Sequence, residues 1–136
     1  MPTAPALFRV ALEVSSPEKA LAFYSELFGA PGRMVGGGRV YFDCGPVILA
    51  LVDVSGQRKR LRPFPQHLYF AVADLEAFHE RAAALGSLSK HEVHGEKGGV
   101  IGTRPWGERS FYAEDPFGNR LCFVDQKTLF TGERRG

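Results

Sequence analysis

The sequence predicts an α+β fold built from two copies of one strand–helix–strands unit. Three observations predict it. Alternating apolar segments begin at Leu7 and again at His67, and each is followed by a capped amphipathic helix and further strands. A hairpin signature, Trp106 to Val124, closes the second copy. The repeat lies in pattern more than in residue identity. Each half is small for an independent core, and two halves side by side can share one curved sheet with helices on its convex face.

The first copy opens with Leu7 to Val14. Phe8, Val10, Leu12 and Val14 point one way, and Arg9, Ala11 and Glu13 the other. Ser15-Ser16-Pro17-Glu18 starts a helix: a hydroxyl cap, proline in the first turn, an acid near the positive dipole end. Ala20, Phe23, Tyr24 and Leu27 form its apolar stripe, and Gly29 ends it with Pro31 just beyond. Gly36-Gly37-Gly38 is a turn. Arg39 to Cys44 and Val47 to Val54 are strands around Gly45-Pro46. Residues 56–65 carry a basic run with two prolines, which is a solvated connector rather than a nucleic-acid or membrane patch.

The second copy begins at His67 to Ala73, with His67, Tyr69 and Ala71 on one face and Leu68, Phe70 and Val72 on the other. Asp74 caps a helix striped by Leu75, Phe78, Ala82 and Leu85 and closed by Gly86. Ser87 to Gly99 is polar and Gly-rich and reads as a loop; its His91, Glu92, His94 and Glu96 are only a weak metal cue without a helix to align them. Val100 to Thr103 is extended. In the closing hairpin, Asp115-Pro116-Phe117-Gly118-Asn119 is the turn between Ser110–Glu114 and Leu121–Val124.

Composition excludes several classes. A chain of 136 residues is one domain's worth and buries roughly 65–70% of its unfolded surface. A net charge of +2, from 17 basic against 15 acidic residues, provides no concentrated basic face for nucleic acid. Cys44 and Cys122 lie far apart without Cys-x-x-Cys spacing, as two reduced thiols in a cytoplasmic protein do. No apolar run approaches a membrane span, and no signal sequence is evident, so a soluble cytoplasmic protein is expected.

Three segments resemble the vicinal oxygen chelate superfamily, which holds glyoxalase I, extradiol dioxygenases and bleomycin- and fosfomycin-resistance proteins. They are Val14 to Gly29 with its Phe23-Tyr24, His67 to Asp74, and Trp106-Gly107 through Asp115-Pro-Phe-Gly-Asn119. The resemblance implies one domain of paired βαβββ modules forming a half-open mixed β-barrel around a cavity, commonly in a homodimer. The modules are residues 7–55 and 66–126, the link 56–65 and the tail 127–136.

In metal-dependent members the ligands come from four inward strand positions. Carried over by the motifs, these fall on Arg9, Ala50, His67 and Cys122. His67 keeps the family's ligand type and the other three depart from the usual His or Glu. Divalent ions in such sites need about three N, O or S ligands. Arginine has no acceptor and alanine no donor atom, so no metal or other cofactor is expected. A non-standard His67/Cys122 site for a divalent metal is the alternative.

Each candidate residue carries two readings. Arg9 is a structural ion pair with Glu13, Glu108 or Glu114, or a clamp for a carboxylate or phosphate. His67 is a cavity hydrogen-bonding group, or a general acid or base. Cys122 is a core residue, or a nucleophile activated by His67. Trp106, Tyr69, Phe42 and Tyr112 are hairpin and sheet packing, or an aromatic wall for a flat ligand.

With these departures, the resemblance implies a metal-independent glyoxalase/bleomycin-resistance-like protein. It would bind a small, partly aromatic and, from Arg9, anionic molecule; antibiotic binding is one form of this role. Bleomycin itself is cationic and a poor match to Arg9. The alternatives are a metal-dependent lyase, dioxygenase or thiol transferase, and a non-catalytic regulatory or partner-binding module.

Overall fold

The computed structural model describes residues 3–57 and 59–132. Arg58, in the expected link, and residues 133–136, in the expected tail, lie outside the described residues. The chain divides into two compact units, Met1–Phe64 and Pro65–Gly136, so most of the basic link belongs to the first.

The first unit runs β1 (Arg9–Val14), α1 (Pro17–Phe28), β2 (Arg33–Val35), β3 (Arg39–Cys44) and β4 (Val47–Asp53). Its sheet has the order β1-β4-β3-β2, with β1 parallel to β4 and the other pairs antiparallel. Only β2 was not expected. Helix α1 starts where Ser16 accepts a hydrogen bond from the Lys19 amide at 3.2 Å, and ends at Gly29 in the left-handed region (φ 63°). Its stripe of Ala20, Phe23, Tyr24 and Leu27 is buried as the spacing requires. Phe42 packs its ring on Tyr24 and, edge to face, on Phe28. The Phe42 face of the sheet is therefore the helix side. A Cβ at Gly32 would stand 2.4 Å from that ring, so a side chain there is excluded.

The second unit runs β5 (His67–Val72), α2 (Leu75–Ala84), β6 (Glu92–Val93), β7 (Glu96–Lys97), β8 (Gly102–Thr103), β9 (Arg109–Glu114) and β10 (Arg120–Asp125). Its main sheet has the order β5-β10-β9-β8, with β5 parallel to β10, the same wiring as the first. The α+β expectation of two βαβββ modules holds. Phe70, Phe111 and Phe123 stack across the sheet, and Phe78 of α2 leans on Phe123. These rings define the helix side here.

The second unit has one addition. The segment 87–99, expected to be a loop, contains the small antiparallel hairpin β6–β7. Its turn is His94-Gly95, both at positive φ (53° and 76°), which a two-residue hairpin turn demands and which asparagine or glycine adopts more readily than histidine. The neck is narrow: the Gly98 amide donates to the His91 carbonyl at 2.9 Å. A Cβ on Gly99 would meet the Ser89 carbonyl at 2.7 Å. Both ends of the neck are pinned to β9, the Ser89 amide donating to the Tyr112 carbonyl and the Tyr112 amide to the Gly98 carbonyl.

The turn between β9 and β10 is held by Asp115. One carboxylate oxygen accepts from the Phe117 and Asn119 amides, the other from the Asn119 side chain, all at 2.8 Å. Asp115 and Asn119 are both buried. Replacing Asp115 with Ala strands these donors and should cost about 2–4 kcal/mol. Urea unfolding measures it; a loss within error of zero would show the turn to be held by its Pro and Gly alone.

Candidate functional site

Alternation puts residues directly opposite in register on the same face. On the second unit's face away from α2, three rows follow from the pairing. They are His67–Arg120–Glu114, Tyr69–Cys122–Tyr112 and Ala71–Val124–Ser110. The helix-free face thus carries the two family positions of this unit, His67 and Cys122, in adjacent rows rather than side by side.

The middle of that face is closed. Tyr112, Cys122 and Val124 form a buried cluster, and Val93 of β6 packs against it. The hairpin therefore folds over the sheet. Burial pushes the Cys122 thiol up to about 11, against the opposing pull of Ser110, Tyr112 and Arg104. The thiol is protonated at neutral pH, and the groups that reach its sulfur are Ser110 and Tyr112. The His67 ring meets the edge of Tyr112 instead, at 4.8 Å between centroids. Of the two readings of Cys122, its burial and raised pKa fit the core residue rather than the nucleophile activated by His67.

The end of the face is open. A cavity of about 290 Å³ is lined by His67, Glu114 and Arg120 from the sheet, and by Ser89, His91, Glu92, Val93 and His94 from the neck and hairpin. His91 Nε2 lies 3.4 Å from a Glu114 oxygen, and Arg120 Nε only loosely approaches the same oxygen at 4.0 Å. Burial lowers the pKa of His67 from its ordinary 6.5, and the nearby Arg120 and His94 lower it further against Glu114. The shift favours the neutral ring of His67 at pH 7.

Trp106 stands behind this wall rather than on it. Its ring lies edge to face with His94 at 4.8 Å, and its indole N–H donates to Glu108 at 2.7 Å. Tyr69 is exposed on the open face, whereas Tyr112 is buried in the cluster. Phe42 is a correction: it is buried on the helix side of the first unit's sheet and cannot serve a ligand wall. Arg9 also differs from expectation. It is exposed, with its guanidinium 4.7 Å over the Phe8 ring. Glu13, one of its expected partners, instead holds Arg62, accepting from the Arg62 amide at 2.7 Å. The remaining two go elsewhere: Glu108 takes Trp106, and Glu114 takes His91 and Arg120.

Sequence reasoning missed Arg120, Glu114 and the hairpin histidines as site residues. The available signals were the His94-Gly95 dipeptide, a hairpin-turn pattern, and the paired Gly98-Gly99 at the neck.

The donor set at the four family metal positions does not fit a divalent ion. Arg9 has no lone pair to give, Ala50 sits methyl to methyl opposite Ala11, and Cys122 is a buried protonated thiol. Among the described residues, no group of three or more His, Cys, Asp or Glu gathers in an arrangement able to hold an ion. No helix among them is long and apolar enough to cross a membrane.

The wiring of the two units and the open face carrying His67 define a class, and comparison identifies it. Residues 6–123 match the family model described as Glyoxalase/Bleomycin resistance protein/Dioxygenase superfamily, and the chain belongs to that family. Among solved structures, it is similar to a lactoylglutathione lyase from Agrobacterium tumefaciens, at 26% identity and a TM-score of 0.65, covering 93% of this chain and 97% of that one. The oxidase ChaP-H2 shares the fold at 21% identity and a TM-score of 0.73, over 90% of this chain and 94% of that one. A glyoxalase/bleomycin resistance protein from Albidiferax ferrireducens T118 does so at 23% identity and 0.69, over 86% and 95%. No curated protein matches significantly.

The two thiols should differ in reactivity. Cys44 is half-buried and Cys122 fully buried. Titration with a thiol reagent near pH 7.5, roughly one unit below the ordinary thiol pKa, should modify Cys44 first and Cys122 only on unfolding. Rapid labelling of both would mean that the cluster under the hairpin is open to solvent.

Proposed function

We propose that this protein is a metal-independent binder of a small, planar, anionic molecule, seated in the cavity at the His67 end of the second unit's sheet. The observation that carries the reading is the composition of that cavity. Arg120 makes only a loose ion pair there, and His67, His91 and His94 converge around it. A guanidinium fork suits a carboxylate, and the imidazole rings add hydrogen bonds and flat surface. The unsuitable donors at Arg9, Ala50 and Cys122 support the absence of a metal. An antibiotic-binding role in the cytoplasm, as a homodimer, is one form this function takes; light scattering at twice the chain mass checks the dimer.

The second reading is a metal-dependent lyase. The likeness to a lactoylglutathione lyase and the retained His67 favour it. Elemental analysis of protein purified without chelator separates the two. A stoichiometric divalent metal that disappears in His67→Ala overturns the proposal.

Because Trp106 touches His94, its fluorescence reports on the cavity wall. Titration with aromatic carboxylates such as benzoate and salicylate should change its emission, and Arg120→Gln should weaken binding about tenfold. Lowering the pH from about 7.5 through the depressed pKa of His67, below its ordinary 6.5, charges that ring while the ligand carboxylate stays ionised, so affinity should rise. Equal affinity in Arg120→Gln, with no pH dependence, would remove this cavity as the anion site.

A further inference from the structure

Arg104 is the most deeply buried charge among the described residues that ion-pair. Its side chain is 1% exposed. It leaves the turn after β8 and folds back over the open face, its guanidinium 5.1 Å above the Tyr112 ring. Two of its nitrogens are satisfied: Nε donates to the Ser110 hydroxyl at 2.9 Å and Nη2 to the Ser110 carbonyl at 2.8 Å. The third, Nη1, is buried without a hydrogen-bond partner. The carboxylate assigned to it is Glu96 of β7, and it stops 3.8 Å short.

A buried guanidinium with an unmet donor costs far more than an exposed one, so a third acceptor is physically demanded. Glu96 answers that demand poorly, since its side chain remains 56% exposed. The geometry beside it leaves room for something better. At Gly102 a Cβ would fall 3.0 Å from the Glu96 oxygen and 3.2 Å from Nη1. The missing side chain leaves carboxylate and guanidinium facing each other across a bare backbone. The approach is from solvent, through the position that Glu96 occupies.

We propose that Arg104 is a second anion site, for a small carboxylate, and that Glu96 is the chain's own stand-in for that ligand. An incoming carboxylate displaces Glu96 and completes the fork with a hydrogen bond to Nη1. Nothing covalent changes; one ion pair is exchanged for another. The exchange has a structural consequence. Glu96 is paired directly with Val93 across the hairpin, and Val93 lines the His67 cavity. Releasing Glu96 loosens the strand that walls that cavity, so occupancy at Arg104 is felt at His67. The site does not depend on the cavity's own ligand, and its test uses neither Arg120 nor an aromatic probe.

The experiment is chemical rescue. Glu96→Ala removes an exposed side chain and leaves Arg104 uncompensated, so its Tm should fall. Formate should restore it, by about 5 °C at roughly ten times its Kd, while chloride at equal ionic strength should not. The wild type, with Glu96 in place, should respond less. Glu96→Gln keeps the shape without the charge and should be rescued similarly. Adding Arg104→Met to Glu96→Ala should abolish the formate effect. If formate and chloride act alike on Glu96→Ala and Glu96→Gln, or if formate still acts after Arg104→Met, Arg104 is only a structural group and the inference is overturned. Loss of benzoate binding at Arg120, by contrast, would leave this result untouched.

Discussion

The parallel pairing of β10 against β5 is the constraint on which the site depends. His67 lies opposite Arg120, and Arg120 opposite Glu114. Side chains alternate with period two, so a slip of one residue would turn this row toward α2 and bring phenylalanines to the open face. The register is held from the other side. Phe70, Phe111 and Phe123 stack only when the same pairing is kept, and burying aromatic surface of this kind stabilises by about 1.5–3 kcal/mol per ring. The hydrophobic core thus sets the placement of polar groups that never touch it.

The two units share one wiring diagram and differ in what covers the open face. In the first, among the described residues, the row through Arg9, Ile48 and Asp43 has no added hairpin of its own unit. In the second, β6–β7 lies over Tyr112, Cys122 and Val124, and a cavity remains at the His67 end. The sheet wiring repeats between the units, and the segment between α2 and β8 adds the hairpin that lines the cavity. Functional difference within such a fold resides in the added loop rather than in the sheet.

Most of the fold was legible because it obeys local rules. The stripes of α1 and α2, the caps at Ser16 and Asp74, and the turn at Asp115 all act within a few residues. The site was less legible because its members come from β5, β9, β10 and a hairpin whose strands are two residues long. Such strands have no periodicity to detect. Phe42 was misplaced for a related reason: an aromatic in an alternating strand declares a face, and only contact with Tyr24 and Phe28 says which face the helix takes. Arg104 gave no signal, since a lone arginine after a short strand ordinarily points into water.

The pinched neck of the hairpin has its own consequence. Gly98 and Gly99 let the chain return within hydrogen-bond distance of where it left, at Ser89 and His91. Both exit and return are anchored to the Tyr112 backbone, so the neck is held to the sheet by main-chain bonds that do not depend on the hairpin's side chains. Residues 92–97 therefore form a cassette. Apart from Val93, which packs on the sheet cluster, and Glu96, which faces Arg104, its lettering can change with little effect on the neck. Selection for a new small molecule would act there first, exchanging the cassette on a frame that need not be rebuilt.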